Sequence, residues 1–240
     1  MIKGILIFIV IVIFITCCYY YFLDPGHKIL FKSHTLFYGN KVVYIGPESM
    51  PLSTEGIQYT FSIWLRTNNL SLNSEWNTAS ETPKTIIDNN GSPNIVYLVN
   101  KNIMRIQMGY YGKNNTLEFY NIDLKDFEFQ KWVNIVITVD NNNVNIFKDG
   151  YLETSTKLLN PNLKNFKMMG IGEKYNNFNG YIGKIDYYNY ILKPNKILNL
   201  YKQYLYYHPS KLMSYEDYEH LRREDVSSEI KLDKFNKFFV

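Results

Sequence analysis

The chain has 240 residues, 26 basic and 22 acidic, for a formal net charge of +4. That length suits one or two domains with a sizeable core. Hydrophobic residues make up 46% of the chain, with 22 Tyr and 15 Phe, which excludes disorder throughout. The charge is mild and forms no long basic run, so no nucleic-acid-binding surface is expected. Two Cys, adjacent at Cys17 and Cys18, exclude a disulfide-stapled scaffold and a Cys-rich zinc domain. Ala79 is the single alanine, Lys outnumbers Arg, and Asn, Ile and Tyr abound. This is the stamp of an AT-rich genome, such as that of a large DNA virus of protists or certain unicellular eukaryotes. It says nothing about fold, and it weakens any argument from Asn runs.

Gly4 to Leu23 form an uncharged, apolar stretch. As a helix rising about 1.5 Å per residue it would be roughly 30 Å long, matching the hydrocarbon core of a bilayer. Tyr19, Tyr20 and Tyr21 suit an interfacial belt. Bulky residues at its end leave no small-x-small cleavage site, so residues 1–23 read as an uncleaved single-pass anchor that partners the lipid bilayer through residues 4–23. Lys3 on one side and Lys28 and Lys32 on the other leave the orientation undetermined. Sequons at Asn69, Asn90 and Asn114 matter only for an external or lumenal domain, which is the placement expected, a virion membrane included. Acylation of Cys17 or Cys18 would instead need a cytosolic end. Residues 24–34 read as a linker.

Residues 35–207 read as one folded domain, in which short period-two runs from about residue 35 to 192 alternate with Asn, Gly and Asp. In the run from Thr60, Phe61, Ile63 and Leu65 share a face. In the run from Trp132, Val133, Ile135, Ile137 and Val139 share one, opposite Asn134, Val136 and Thr138. Residues 95–99 and 103–108, with a turn at Asn100 to Asn102, form one expected hairpin, followed by a strand from Thr116. Asp149-Gly150 between two strand runs is a strong hairpin signal, because both central turn positions favour positive φ. A late strand starts at Gly180. Many short strands at even spacing imply an antiparallel sandwich or barrel. Pro194 and Asn195 then open a helix with Ile197, Leu198, Tyr201 and Leu205 at helical spacing. Residues 208–240 form a charged tail, helical in part from Ser214, ending in an aromatic-basic run.

The Trp132, Ile135–Asp140, Ile146–Gly150 segment and the later Phe178-Asn179-Gly180-Tyr181-Ile182, Tyr188-Asn189, Leu192, Ile197 segment resemble laminin-G-like and pentraxin-like domains of the concanavalin A-like lectin/glucanase superfamily. The strands at Phe61 and Lys41 resemble that family's early strands. The resemblance covers roughly residues 35–206. It implies an all-β, antiparallel two-sheet jelly-roll sandwich, here placed behind a transmembrane helix and ahead of a short helical tail. It also implies structural roles for Trp64, Trp132, Asp149, Gly150, Phe178 and Gly180. The two tryptophans are expected to be core, and Gly180 suits a bend or close backbone approach.

No catalytic residue is expected. Glycosidases of the superfamily carry paired carboxylates on one strand, and Asp186 sits instead between Ile185 and Tyr187, with Lys184 two positions before it. The four histidines, His27, His34, His208 and His220, fall outside or at the edges of the sheet region, with no metal spacing. Family members often bind calcium, but Gly183 and Lys196 stand where acidic residues are usual. Asp88, with Asn89 and Asn90, could still offer oxygens to Ca2+, although solvated loop polarity is the preferred reading and no cofactor is expected. Candidate ligand-binding residues are Trp76, in a polar loop where an indole could stack on a sugar ring, Asp88, Asn90, and the Tyr110–Tyr111 pair. The expected function is non-catalytic recognition of a glycan or protein ligand through rim loops. The alternatives are a structural virion or envelope membrane protein and a divergent glycoside hydrolase.

Overall fold

The computed structural model describes residues 9–16, 24, 26–37, 41–53, 57–67, 83–111, 116–128, 130–158, 168–173 and 178–207. Residues 9–16 are helical (α1). Twelve strands follow: β1 (His27–Phe37), β2 (Val43–Ile45), β3 (Gln58–Thr67), β4 (Lys84–Asp88), β5 (Asn94–Leu98), β6 (Ile103–Tyr111), β7 (Leu117–Leu124), β8 (Trp132–Asp140), β9 (Asn143–Lys148), β10 (Tyr151–Lys157), β11 (Met169–Ile171) and β12 (Gly180–Tyr188). Helix α2 spans Pro194–Tyr207. The first sheet runs β1-β12-β3-β8-β9-β10 and the second β2-β11-β4-β5-β6-β7. All pairings are antiparallel. The fold is the two-sheet sandwich expected from the strand spacing.

Alternation decides what fills the space between the sheets. Phe61, Ile63 and Leu65 of β3 meet Val133, Ile135, Ile137 and Val139 of β8 and Ile182, Ile185 and Tyr187 of β12 in one buried cluster. The second sheet contributes Ile87, Ile95, Tyr97, Met104, Ile106 and Met108. Each such side chain is worth about 1.5–3 kcal/mol when withdrawn from water. Phe178, 1% exposed, joins this core. Gly180 follows where a Cβ would lie 2.3 Å from the Arg66 carbonyl oxygen.

The opposite face of the first sheet is also apolar in part, and α2 covers it. Val136, Phe147, Tyr188, Leu192 and Ile197 form one cluster there, and Trp64 and Trp132 a second, packed by Tyr181, Tyr201 and Tyr204. Both tryptophans are therefore buried outside the intersheet core, beneath the helix, as their strand parity dictates. The Asp149-Gly150 hairpin has positive φ at both residues, 52° and 84°. Gly150 also lies against α2, where a Cβ would meet Leu198 Cδ1 at 2.9 Å and Leu198 Cα at 3.2 Å.

One boundary differs from expectation. The segment 24–34 is not a linker, because strand β1 occupies it from His27 and pairs with β12. Its register shifts between Ile29 and Phe31 and again between Lys32 and Thr35 break the period-two pattern, and Ile29 is left exposed. Of the expected span 4–23, the structure describes residues 9–16, whose side chains from Ile9 to Ile15 are all exposed. Among the described residues no helix is long and apolar enough to cross a membrane. The expected helix from Ser214 lies outside the described residues, with the rest of 208–240.

Gly150→Ala should lower unfolding free energy by about 1–3 kcal/mol, since it combines a positive-φ penalty with a clash against α2; denaturant titration would show it. Trp132→Ala should cost about 3–5 kcal/mol by the same measurement, and a neutral result would mean that the outer-face cluster does not hold the helix.

Candidate ligand-binding cavity

The outer face of the first sheet and helix α2 enclose a cavity of about 410 Å³. This lies within the roughly 300–1,000 Å³ range of small-molecule sites. Its floor comes from alternate residues of adjacent strands: Ser62 and Trp64 of β3, Asn134 and Val136 of β8, and Lys184, Asp186 and Tyr188 of β12. Leu200, Tyr201, Gln203 and Tyr204 descend from α2, and Ile29 and Lys32 line the β1 side. Trp64 stacks on Tyr201 at 5.6 Å between ring centroids and lies 5.0 Å from Tyr204. Burial raises the Tyr201 hydroxyl and pushes that of Tyr204 up to about 12, so both stay neutral donors at physiological pH.

Asp186 organises the charge. Its side chain is 6% exposed, and it has two basic neighbours: His27 Nε2 lies 2.8 Å from Oδ1 and the Lys184 ammonium 2.8 Å from Oδ2. A buried carboxylate is tolerable only when paired in this way. The His27 ring stacks on Tyr188 at 4.3 Å, and the Lys184 ammonium lies 5.3 Å from the Tyr204 ring centre. His27 was expected at the margin of the sheet with no partner in view. It instead heads β1 and closes this charge cluster, because β1–β12 pairing sets His27 opposite Tyr188 and Ile29 opposite Asp186.

Asn134 is placed from behind by the hairpin. Its backbone N–H donates to Asp149 Oδ1 at 2.8 Å, and its carbonyl accepts from the Asp149 N–H at 2.9 Å. Its side-chain Nδ2 donates to Ser62 Oγ at 3.2 Å and to the Ile63 carbonyl at 3.3 Å. Burial raises the Asp149 carboxyl above its ordinary value, against the opposing pull of the Asn134 N–H and of Lys131 and Lys148.

Of the residues expected to bind ligand, the described ones, Asp88, Asn90 and Tyr110, do not line this cavity. Trp76 lies outside the described residues; its segment leaves the described structure at Thr67, the end of β3 remote from His27. Asp88, Asn90 and Tyr110 lie at the other pole, where the N-terminal segment enters. Asp88 is exposed and accepts the Asn90 N–H at 3.2 Å. Asn89 is fully buried; its Nδ2 donates to the Ser92 carbonyl at 2.5 Å, and its Oδ1 has no hydrogen-bond partner among the described residues. Among the described residues no cluster of three His, Cys, Asp or Glu could hold a metal. Asn90 has positive φ, and Ser92 of its sequon is 1% exposed. The Tyr110 hydroxyl donates to Glu118, with its ring 4.4 Å from Tyr120; the side chain of Tyr111 lies outside the described residues. Sequence reasoning missed Asp186, Lys184 and Tyr204. The signal was present: Lys184 and Asp186 two apart on a strand share a face, and Tyr201 and Tyr204 share one on a helix.

Two six-stranded antiparallel sheets in this order define a concanavalin A-like sandwich. The laminin-G family model of the concanavalin A-like lectin/glucanases superfamily matches residues 39–198, and the chain belongs to that superfamily. No curated protein sequence matches the chain. Among solved structures, a botulinum neurotoxin serotype D binding domain superposes with TM-score 0.55 at 15% identity, over 70% of this chain and 42% of that one. The receptor binding domain of botulinum neurotoxin D gives 0.54 at 16%, over 74% and 46%. That of the mosaic serotype C/D neurotoxin gives 0.52 at 12%, also over 74% and 46%. The likeness is one of fold, and the chain spans less than half the length of these relatives.

Asp149→Asn should retain the acceptor and the turn while removing the cost of burying an ionised group. The raised carboxyl means that wild type loses this stability as pH climbs through the folded-state value. The variant should therefore match wild type in acid and equal or exceed it by up to about 1 kcal/mol at neutral pH. Asp149→Ala should lose about 1–2 kcal/mol at either pH. Thermal melts at both pH values test this, and an Asn variant less stable at neutral pH would show that the ionised form is preferred.

Proposed function

We propose that the chain is a membrane-anchored recognition module that binds a glycan or a protein without cleaving it. The cavity beneath α2 carries this reading: it joins aromatic faces and hydrogen-bonding side chains around a carboxylate already committed to Lys184 and His27. Hydrolysis by the retaining route needs two carboxyl groups about 5–5.5 Å apart, and among the described residues Asp186 is the one carboxylate lining the cavity. The solved relatives are described as binding and receptor-binding domains, which supports binding as the role of this sandwich.

The anchor reading rests on the uncharged stretch from Gly4 to Leu23 and on the exposure of every side chain from Ile9 to Ile15, a surface that water disfavours and lipid accepts. The junction with the sandwich is short and tied. Asp24 accepts hydrogen bonds from the Gly26 N–H, at 3.0 Å, and from the Tyr190 hydroxyl, and the Asn189 N–H donates to the Gly26 carbonyl at 2.9 Å. In this reading the pole bearing Asp88, Asn90 and Tyr110 faces the bilayer and the pole at Thr67, Phe37 and Gly180 faces away. The domain is placed outside the cell, in a lumen or on a virion surface.

The full chain in lipid nanodiscs should bind a subset of a glycan array or a defined surface protein, with no polysaccharide cleavage. Protease added outside intact cells or particles should clip the domain. Absence of any ligand together with tight incorporation into particles would favour a structural virion or envelope component instead. Cleavage that persists through purification would favour a glycoside hydrolase.

A further inference from the structure

The cavity holds hydrogen-bonding capacity that the protein does not use. Asn134 is 2% exposed and its Oδ1 accepts no hydrogen bond, although its Nδ2 is fully committed. Ser62 Oγ accepts from Asn134, and its own proton is undirected. Among the described residues Gln203 has no side-chain partner, and neither does Lys32, an exposed cation on the β1 side. These groups surround the aromatic surface of Trp64, Tyr188 and Tyr204. A purely apolar ligand would leave Asn134 Oδ1 unpaired in a dry site, which is costly. A ligand with donors and acceptors around a compact ring would satisfy it, and the ring's apolar face would suit the aromatic groups.

Charge narrows the class. The Asp186 carboxylate is balanced by Lys184 and backed by His27, so among the described lining residues Lys32 is the cation left over at the opening. We propose that this cavity binds an acidic monosaccharide unit, a uronic or sialic acid type of residue, with its ring among Trp64, Tyr188 and Tyr204, its hydroxyls on Asn134, Ser62 and Gln203, and its carboxylate on Lys32. This rests on the glycan-binding form of the function proposed above and names the site and sugar class for it.

The test uses the full chain in phosphatidylcholine nanodiscs, titrated with methyl glucuronide, N-acetylneuraminic acid and methyl glucoside. Binding is read by saturation-transfer NMR and tryptophan fluorescence. At least one acidic sugar should bind more tightly than the neutral glucoside. Lys32→Gln, at an exposed position, should erase that preference, a loss of roughly tenfold in acidic-sugar affinity for one charge-assisted contact, with the neutral methyl glucoside losing less. Gln203→Ala should weaken both classes of sugar. No perturbation by any of the three sugars, or an acidic preference that survives Lys32→Gln, would overturn the proposal. Glycan-array binding that persists unchanged in both variants would place recognition on a rim loop, overturning this site while leaving the proposed function standing.

Discussion

The first sheet has apolar side chains on both faces, and much of the structure answers that one constraint. Alternation along β3 and β8 sends Ile63, Leu65, Val133 and Ile135 between the sheets. The same alternation sends Trp64, Trp132 and Val136 outward. A sandwich buries one face of each sheet, so this second surface needs its own cover. Helix α2 supplies it with Ile197, Tyr201 and Tyr204. The helix can come close because the hairpin beneath it carries a glycine at position 150, where any side chain would strike Leu198.

The cover is incomplete on the β1 side, and the cavity is what remains. Its electrostatics follow from strand order. With β12 between β1 and β3, Asp186 lies beside an edge strand that can lend it His27, while Lys184 reaches it from two residues away on the same face. The carboxylate therefore enters a poorly hydrated place already paired with the Lys184 ammonium and the His27 ring. The same arrangement fastens β1 to the body of the sheet through side chains as well as through its irregular backbone ladder.

The sandwich was legible because its strands obey a strict period of two and its turns use residues that tolerate positive φ, Asp149-Gly150 above all. Helix α2 was legible from Pro194 and the spacing of Ile197, Leu198 and Tyr201. β1 was not, since two register shifts scramble its alternation and make HKILFKSH resemble a connector. The cavity was hidden for a different reason. Asp186, His27 and Tyr204 are far apart in sequence, and none belongs to a motif of fixed spacing; pairing of β1 with β12 and the docking of α2 bring them together. The rim candidates came from composition, which picks out aromatic and polar loop residues without saying which end of the sandwich they occupy. The structure puts Asp88, Asn90 and Tyr110 at the end opposite Thr67, from which the segment carrying Trp76 departs.

The junction at Asp24 has a mechanical consequence. β1 runs antiparallel to β12 from His27, opposite Tyr188, to Phe37, opposite Gly180. Tension applied through the N-terminal segment and resisted at the far pole would act along the strand axis. It would load the β1–β12 hydrogen bonds together, in shear, instead of peeling them one by one. The Asp24–Tyr190 and Gly26–Asn189 contacts would take the first share of that load, so the sandwich is arranged to resist unfolding under a pull along that axis.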